Sequence, residues 1–110
     1  MRVQYRQGDV LLVAVEAIPA SAVPVPRDGD QVVLAYGEAT GHRHAIGEPH
    51  AELLAVSGEE VERRFLRIVG TEALLVHEEH DPIALPAGIY QVIRQREYVP
   101  EERASRFVCD

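Results

Sequence analysis

Short apolar runs separated by Gly, Pro and Asp follow one another along most of the chain. Apolar and β-branched residues dominate 9–16, 31–37 and 61–69, and each run is bounded by turn-forming residues. Residues 89–99 alternate as an extended strand does, with successive side chains on opposite faces. About seven such runs, roughly 8 to 12 residues apart, predict an all-β fold, either a small β-barrel or a β-sandwich.

Three other segments complete this prediction. Residues 51–56 fit either a strand or a short helix, and 72–80 is expected to form a hairpin with the preceding run through Gly70-Thr71. Pro100, followed by two glutamates, predicts the start of a short C-terminal helix over 100–110. Because no repeat or linker divides the sequence, residues 1–110 are expected to form a single β-rich domain.

Composition narrows the classes of function. The 110 residues carry a net charge of −7 and contain no Lys, which excludes a P-loop lysine and a Schiff-base lysine. The acidic balance disfavours nucleic acid and membrane surfaces as partners. Cys109 is the one cysteine, so neither an internal disulfide nor a thiolate zinc site is expected. With no recognisable signal peptide or apolar span, a cytoplasmic location is the expectation.

Histidines carry the most informative chemistry. All five lie within 39 consecutive residues: His42, His44, His50, His77 and His80. One residue separates His42 from His44, and this spacing places both imidazoles on the same face of a strand. His77 and His80 are three apart, so they would converge across a turn or bulge, or on a helical turn. His50 follows Pro49 and is expected to be solvent-exposed, outside any site.

Imidazole and carboxylate ligands together suit a divalent metal ion such as zinc, iron, manganese or nickel. The predicted ligands are His42, His44, His77 and His80. The carboxylates that could complete the shell are Glu48, Glu78, Glu79 and Asp81. Glu78 and Glu79 are candidate general bases beside a bound ion. Residues 38–81 hold ten acidic residues and four arginines, so most of the negative charge shares a segment with the histidines. That charge favours attraction of a cation.

A resemblance to a known protein family also indicates a metal site. The run from Gly37 to Glu48 is similar to the first motif of cupins, in which a Gly precedes two His spaced by one and then a Glu. The resemblance implies His42, His44 and Glu48 as metal ligands. The sequence 86–88 (PAG) looks like the turn of the second cupin motif, but Gln91 stands where that motif has its His. A cupin-type site would then take His77 or His80 instead.

The chain also resembles a group of short bacterial and phage-associated proteins. The shared segments are QGDVLL, GEATGHRH and HEEHDPIALPAGIYQVIRQREY, followed by a C-terminal helix. This resemblance groups the two His pairs as one feature and implies no particular reaction.

Two hypotheses of function follow. In the first, a small β-domain holds a divalent metal or small ligand at the His and carboxylate side chains, with no reaction specified. In the second, the chain is a non-catalytic binding, assembly or regulatory module, associated with a phage or mobile element, and the histidines form a structural hydrogen-bond network or a pH switch. Its partner would be a small molecule or a protein, and homo-oligomer formation stays open.

Overall fold

The computed structural model describes residues 3–37, 41–58 and 61–95 of the chain. All regular structure in these ranges is β, so the all-β prediction is confirmed for them. Numbered in chain order, the strands are β1 (Gln4–Gln7), β2 (Val10–Ala14), β3 (Val23–Pro24), β4 (Val32–Tyr36), β5 (Arg43–Ile46), β6 (Ala51–Val56), β7 (Arg63–Ile68), β8 (Ala73–Val76), β9 (Ile83–Leu85) and β10 (Gly88–Arg94).

These strands form two antiparallel sheets. The larger sheet has the order β1-β2-β10-β7-β6-β3, and the smaller has the order β4-β5-β8-β9. The β-barrel alternative is wrong, because the described strands do not close either sheet on itself and leave a sandwich-like arrangement. One edge strand, β3, has only two residues, and Pro24 has no N–H to donate to a further strand.

The two sheets bury their apolar faces against each other. Leu12, Leu53 and Leu66 from the larger sheet share one cluster with Ile46 and Leu75 from the smaller sheet. Each of these five side chains is almost completely inaccessible to solvent. Burial of this kind contributes about 1.5–3 kcal/mol for each large aliphatic side chain. The common core therefore fixes how the loops at either end of the sandwich face one another.

The structure resolves one ambiguity and corrects one expectation. Residues 51–56, for which helix and strand were both open, form β6. The expected hairpin between β7 and β8 is wrong, since β7 pairs with β6 and β10 whereas β8 pairs with β5 and β9. The link through Gly70, whose φ is 86°, carries the chain from one sheet to the other. Both apolar runs consequently face the common core.

The predicted helix over 100–110, together with Cys109, lies outside the described residues. Within the described ranges, no helix is long and apolar enough to cross a membrane.

Candidate metal centre

Three segments meet at one end of the sandwich and bring four of the five histidines together. One is the turn between β1 and β2, the second is the start of β5 with His42 and His44, and the third is the bend after β8 with His77 and His80. Residues His44 and Ile46 share the core-facing side of β5, because alternate residues of a strand point to the same face. The fold therefore places His44 at the margin of the core.

The four imidazoles are in mutual contact through the ring of His77. Its centroid lies 4.3 Å from that of His44, 4.7 Å from that of His80 and 5.6 Å from that of His42. The rings of His44 and His80 are nearly parallel, with centroids 6.0 Å apart. The two His pairs, 33 residues apart in the chain from His44 to His77, thus form one cluster in space.

Buried hydrogen bonds fix the orientation of His44. Its side chain is only about 5% exposed, and its Nδ1 lies 2.8 Å from Oε1 of Gln7. The amide nitrogen of Gln7 donates to the carbonyl oxygens of Leu75 and Asp81, both at 3.0 Å. Because those carbonyls only accept, the Gln7 amide cannot be reversed, and its Oε1 must accept from His44. A neutral His44 therefore carries its proton on Nδ1.

The other nitrogen of His44 faces a carboxylate. Nε2 lies 3.3 Å from Oδ1 of Asp9, whose Oδ2 accepts a hydrogen bond of 2.9 Å from Nε of Arg94. Partial burial raises the pKa of Asp9, but the hydrogen bond and charge of Arg94 outweigh it, so the pKa lies below its ordinary value. Asp9 is therefore ionised at neutral pH.

His44 stays neutral at the same pH. Burial, followed by repulsion from His77, lowers its pKa to about 4, although the charge of Asp9 opposes the shift. Burial and then the neighbouring His80 also lower the pKa of His77. Metal ions bind the neutral form of imidazole, so these two side chains are held in the protonation state that coordination requires.

Three side chains in the outer part of the cluster have the spacing of a metal site. His42, His77 and Glu78 each offer a ligand atom, and these atoms all lie within 4.8 Å of one another. Tetrahedral ligands bound at about 2.05 Å lie about 3.3 Å apart, so a modest contraction would bring the three atoms into a coordination shell. The backbone N–H of Arg43 donates to Glu78 at 3.0 Å and lowers the pKa of that carboxyl group.

Glu79 contacts both imidazoles of this outer group. Its backbone N–H donates to Nδ1 of His77 at 3.0 Å, and its carboxylate lies 3.6 Å from Nδ1 of His42. The bond to Nδ1 assigns the proton of a neutral His77 to Nε2. A metal ion bound at Nδ1 would replace this hydrogen bond. An ion bound at Nε2 would move the ring proton to Nδ1, which could then no longer accept from Glu79. The carboxylate of Glu79 is well exposed, with 67% of the side chain accessible.

Glu48, a predicted ligand, and His50, predicted to lie outside any site, are found toward the opposite end of β8. The Glu48 carboxylate accepts a hydrogen bond of 3.1 Å from the backbone N–H of Leu74, and Nε2 of His50 lies 2.9 Å from the carbonyl oxygen of Glu72. Leu74 precedes His77 by three residues, which corresponds to roughly 10 Å of extended chain. The structure therefore brings together His42, His44, His77 and His80, with Glu78 beside them, and places Glu48 and His50 apart from them.

The sequence analysis missed the β1–β2 turn as part of this centre. Gln7 and Asp9 contact His44 directly, and Gly8 between them has a φ of 59°. A Cβ atom on Gly8 would lie 2.6 Å from Nε2 of His80, so only glycine leaves room for that ring. The available signal was the segment QGDV, in which Gly-Asp marks a tight turn before the apolar run 10–15.

Comparison with known proteins adds one family match. A family model described as a domain of unknown function (DUF8820) matches residues 6–95, a range that includes every residue of the centre described above. No curated protein and no solved structure gives a significant match.

Proposed function

The chain belongs to the DUF8820 family, and we propose that it is a metal-binding domain that holds a divalent transition-metal ion with His42, His77 and Glu78. The observation that carries the proposal is the spacing of these three side chains, whose ligand atoms all lie within 4.8 Å of one another. Two imidazoles and one carboxylate form a ligand set common to zinc and to non-haem iron sites, and manganese and nickel are also compatible with it.

The electrostatics of the centre support cation binding. Glu78 has a lowered pKa, so it is ionised at neutral pH, and His77 is neutral. The carboxylate of Glu79, 3.6 Å from Nδ1 of His42, adds a second negative charge beside the ligands. The resemblance of the His42 and His44 pair to the first cupin motif favours the same assignment for His42.

The metal position formed by His42, His77 and Glu78, called the outer position below, faces an open cavity. His77 and Glu78 line a cavity of about 260 Å³, together with Arg43 and Gln31. Three protein ligands leave a coordination position free, as catalytic metal sites do. A small oxygenated ligand is therefore the class of molecule that we expect here, with Arg43 able to attract an anionic group. Glu79, exposed beside His42, is the available general base.

Metal analysis of the purified protein tests this proposal. We expect Zn²⁺, Fe²⁺, Mn²⁺ or Ni²⁺ to remain bound after dialysis, as measured by mass spectrometry of the metal content. The variants Glu78→Gln and His77→Ala should reduce the affinity by about 10-fold or more, since each removes a ligand. His50→Ala is the matched control, because His50 lies away from the cluster and its side chain contacts the backbone carbonyl of Glu72.

A result in which Glu78→Gln binds each metal as tightly as His50→Ala would refute the outer position. A normally folded wild-type protein that retains none of the four metals would refute metal binding as the function.

One observation favours a second candidate function. The Gln7 side chain joins β1 of the larger sheet to His44 and Leu75 of the smaller sheet by buried hydrogen bonds. Networks of this kind stabilise a unique arrangement of the two layers. Under this alternative the histidines are structural, and the chain is a non-catalytic binding or assembly module. The same metal analysis separates the two candidates, because a structural cluster binds no ion.

A further inference from the structure

We propose that a cavity at one end of the sandwich binds the phosphate group of a small organic molecule. The cavity has a volume of about 480 Å³, within the range of small-molecule sites, and Arg64 and Arg94 are among the residues that line it. Its described lining includes no histidine and no ligand of the outer position. The inference therefore goes beyond the metal-binding function and assigns a ligand to these arginines.

The cavity opens where β7 and β10 separate. Their pairing ends at Arg64 opposite Val92, although β10 continues to Arg94. The next residue, Gln95, donates its N–H to the carbonyl oxygen of Asp9, on the β2 side of the strand. Because the backbone groups of successive residues point to opposite sides of a strand, the N–H of Arg94 points toward β7. Among the described residues it has no hydrogen-bond acceptor there, so it is available to an oxyanion.

Both arginine side chains share the core-facing side of the larger sheet. Arg64 lies two residues from Leu66, and Arg94 lies two residues from Val92, and both of these apolar residues belong to the common core. The strands β7 and β10 are neighbours, so the two guanidinium groups extend from adjacent strands at the same end of the core. This arrangement suits an anion that contacts both.

Arg64 carries a positive charge that its described contacts do not neutralise. Its side chain is half-buried and donates to the carbonyl oxygens of Leu34 at 2.9 Å and of Val33 at 3.4 Å. These acceptors are uncharged, and no carboxylate of the described residues forms an ion pair with Arg64. A partly desolvated guanidinium is stabilised most by an anion, and its planar set of N–H groups matches the oxygens of phosphate.

Arg94 also has donors that its described contacts leave unused. Its Nε donates to Oδ2 of Asp9 at 2.9 Å, which fixes one edge of the guanidinium. The two terminal nitrogens make no hydrogen bond to any other described residue. Arg63 adds a further positive charge to the lining, with its guanidinium 5.9 Å from the ring centroid of Phe65. In a chain with a net charge of −7, three arginines around one cavity form a local positive field.

The rest of the lining indicates what the phosphate is attached to. Leu34, Val92 and Ile93 give the cavity an apolar wall beside the arginines. An organic phosphate with a compact apolar group would bury that group against this wall. Glu62 is the one acidic residue of the described lining, and it is exposed. Its charge opposes an anion, so removal of that charge provides a test with the opposite sign.

Calorimetric titration with phenyl phosphate tests the inference. We expect the full-length chain, kept metal-free with EDTA at constant ionic strength, to bind one phenyl phosphate and to bind inorganic phosphate more weakly. Arg64→Gln should reduce the affinity by about 10-fold or more, since it removes charge-assisted hydrogen bonds. Arg67→Gln is the matched control and should bind as the wild type does. It removes the same charge from the same strand, but Arg67 contacts Glu52 at 3.0 Å and does not line the cavity.

Glu62→Gln is the second variant. It should raise the affinity by about 2-fold, and because Glu62 is exposed, the test remains decisive if Arg64→Gln fails to fold. An unchanged or lower affinity in Glu62→Gln would overturn the inference, as would Arg64→Gln binding as tightly as Arg67→Gln. Phenol that binds as tightly as phenyl phosphate would show a purely apolar cavity and would also overturn it.

The outcomes are separate from those of the proposed function. Glu78→Gln should bind phenyl phosphate as the wild type does, because the titration contains no metal ion. If phosphate binds only when Zn²⁺ is present and Glu78→Gln abolishes that binding, the phosphate site is refuted and the outer position stands. If the wild type retains no metal but still binds phenyl phosphate through Arg64, the metal proposal fails and this inference holds.

Discussion

His44 combines deep burial with a titratable ring, and this combination makes its chemistry depend on pH. Burial and the neighbouring His77 lower its pKa from 6.5 to about 4 in the folded protein. In the unfolded chain the ring accepts a proton near its ordinary pKa. At pH values between about 4 and 6.5 the unfolded state binds more protons than the folded state, so the free energy of unfolding falls as the pH falls. His77 acts in the same direction.

We therefore expect the metal-free protein to lose stability from about pH 6.5 down to about pH 4, by at most about 1.4 kcal/mol per pH unit for His44. Urea denaturation across this range measures the loss. His44→Asn retains a donor toward Gln7 but does not titrate, so its stability should depend less steeply on pH. An identical dependence in the two proteins would contradict the role assigned to His44.

At the residue scale, the sequence predicted the four clustered histidines but not what surrounds them. The spacing of His42 and His44 indicated a shared face, which is a local property of a strand. Gln7 and Asp9 are 35 or more positions from His44 in the chain, and no local pattern links them to it. Glu48 followed from the cupin resemblance, whereas its carboxylate contacts the backbone of Leu74.

At the scale of elements, the β1–β2 turn positions both Asp9 and His80. Gly8 has a positive φ of 59°, a conformation that costs other residues about 1–2 kcal/mol. Gly29 has nearly the same φ, 64°, but a Cβ there would meet no atom within 4 Å. A comparison of alanine variants at the two positions therefore separates backbone strain from displacement of the His80 ring.

We expect Gly8→Ala and Gly29→Ala to lower the free energy of unfolding by similar amounts, about 1–2 kcal/mol each. Only Gly8→Ala should also weaken zinc binding, because its Cβ displaces the ring of His80, which contacts the ring of His77 with centroids 4.7 Å apart. Calorimetric titration and urea denaturation measure the two effects. Equal zinc binding in both variants would show that the position of His80 does not matter.

Elements differed in how far the sequence determined them. Residues 31–37 and 61–69 contain β4 and β7 because their apolar runs are long enough to show a strand pattern. The predictions missed β3 and β9, which have two and three residues and are too short for any periodicity. The pairing of β8 was also mispredicted, since a glycine link is equally compatible with a hairpin and with a crossing between sheets.

At the scale of the whole molecule, the proposed ligands His42, His77 and Glu78 belong to the β5 and β8 segments, which are neighbours in the smaller sheet. An ion bound by them requires these two strands to be paired, so it must leave when the sheet separates on unfolding.

We expect Zn²⁺ at 100 times its dissociation constant to raise the free energy of unfolding by about 2.7 kcal/mol, and a chelator to reverse the change. Urea midpoints with and without Zn²⁺ measure this effect. His50→Ala should respond as the wild type does, whereas Glu78→Gln should show a smaller increase because it lacks one ligand. No response in the wild type would contradict folded-state metal binding.

By itself, the sequence determined the β-rich architecture, the concentration of acidic charge in the segment that holds the histidines, and the common face of His42 and His44. These follow from composition and from the two-residue period of a strand, which are local properties. Tertiary structure alone decided that the sheets stay open, that His77 lies between the rings of His42 and His44, and that Gln7 and Asp9 contact His44. Such contacts depend on how two sheets pack around a common core, and hydrophobic burial is non-directional, so local sequence patterns do not indicate which loops meet.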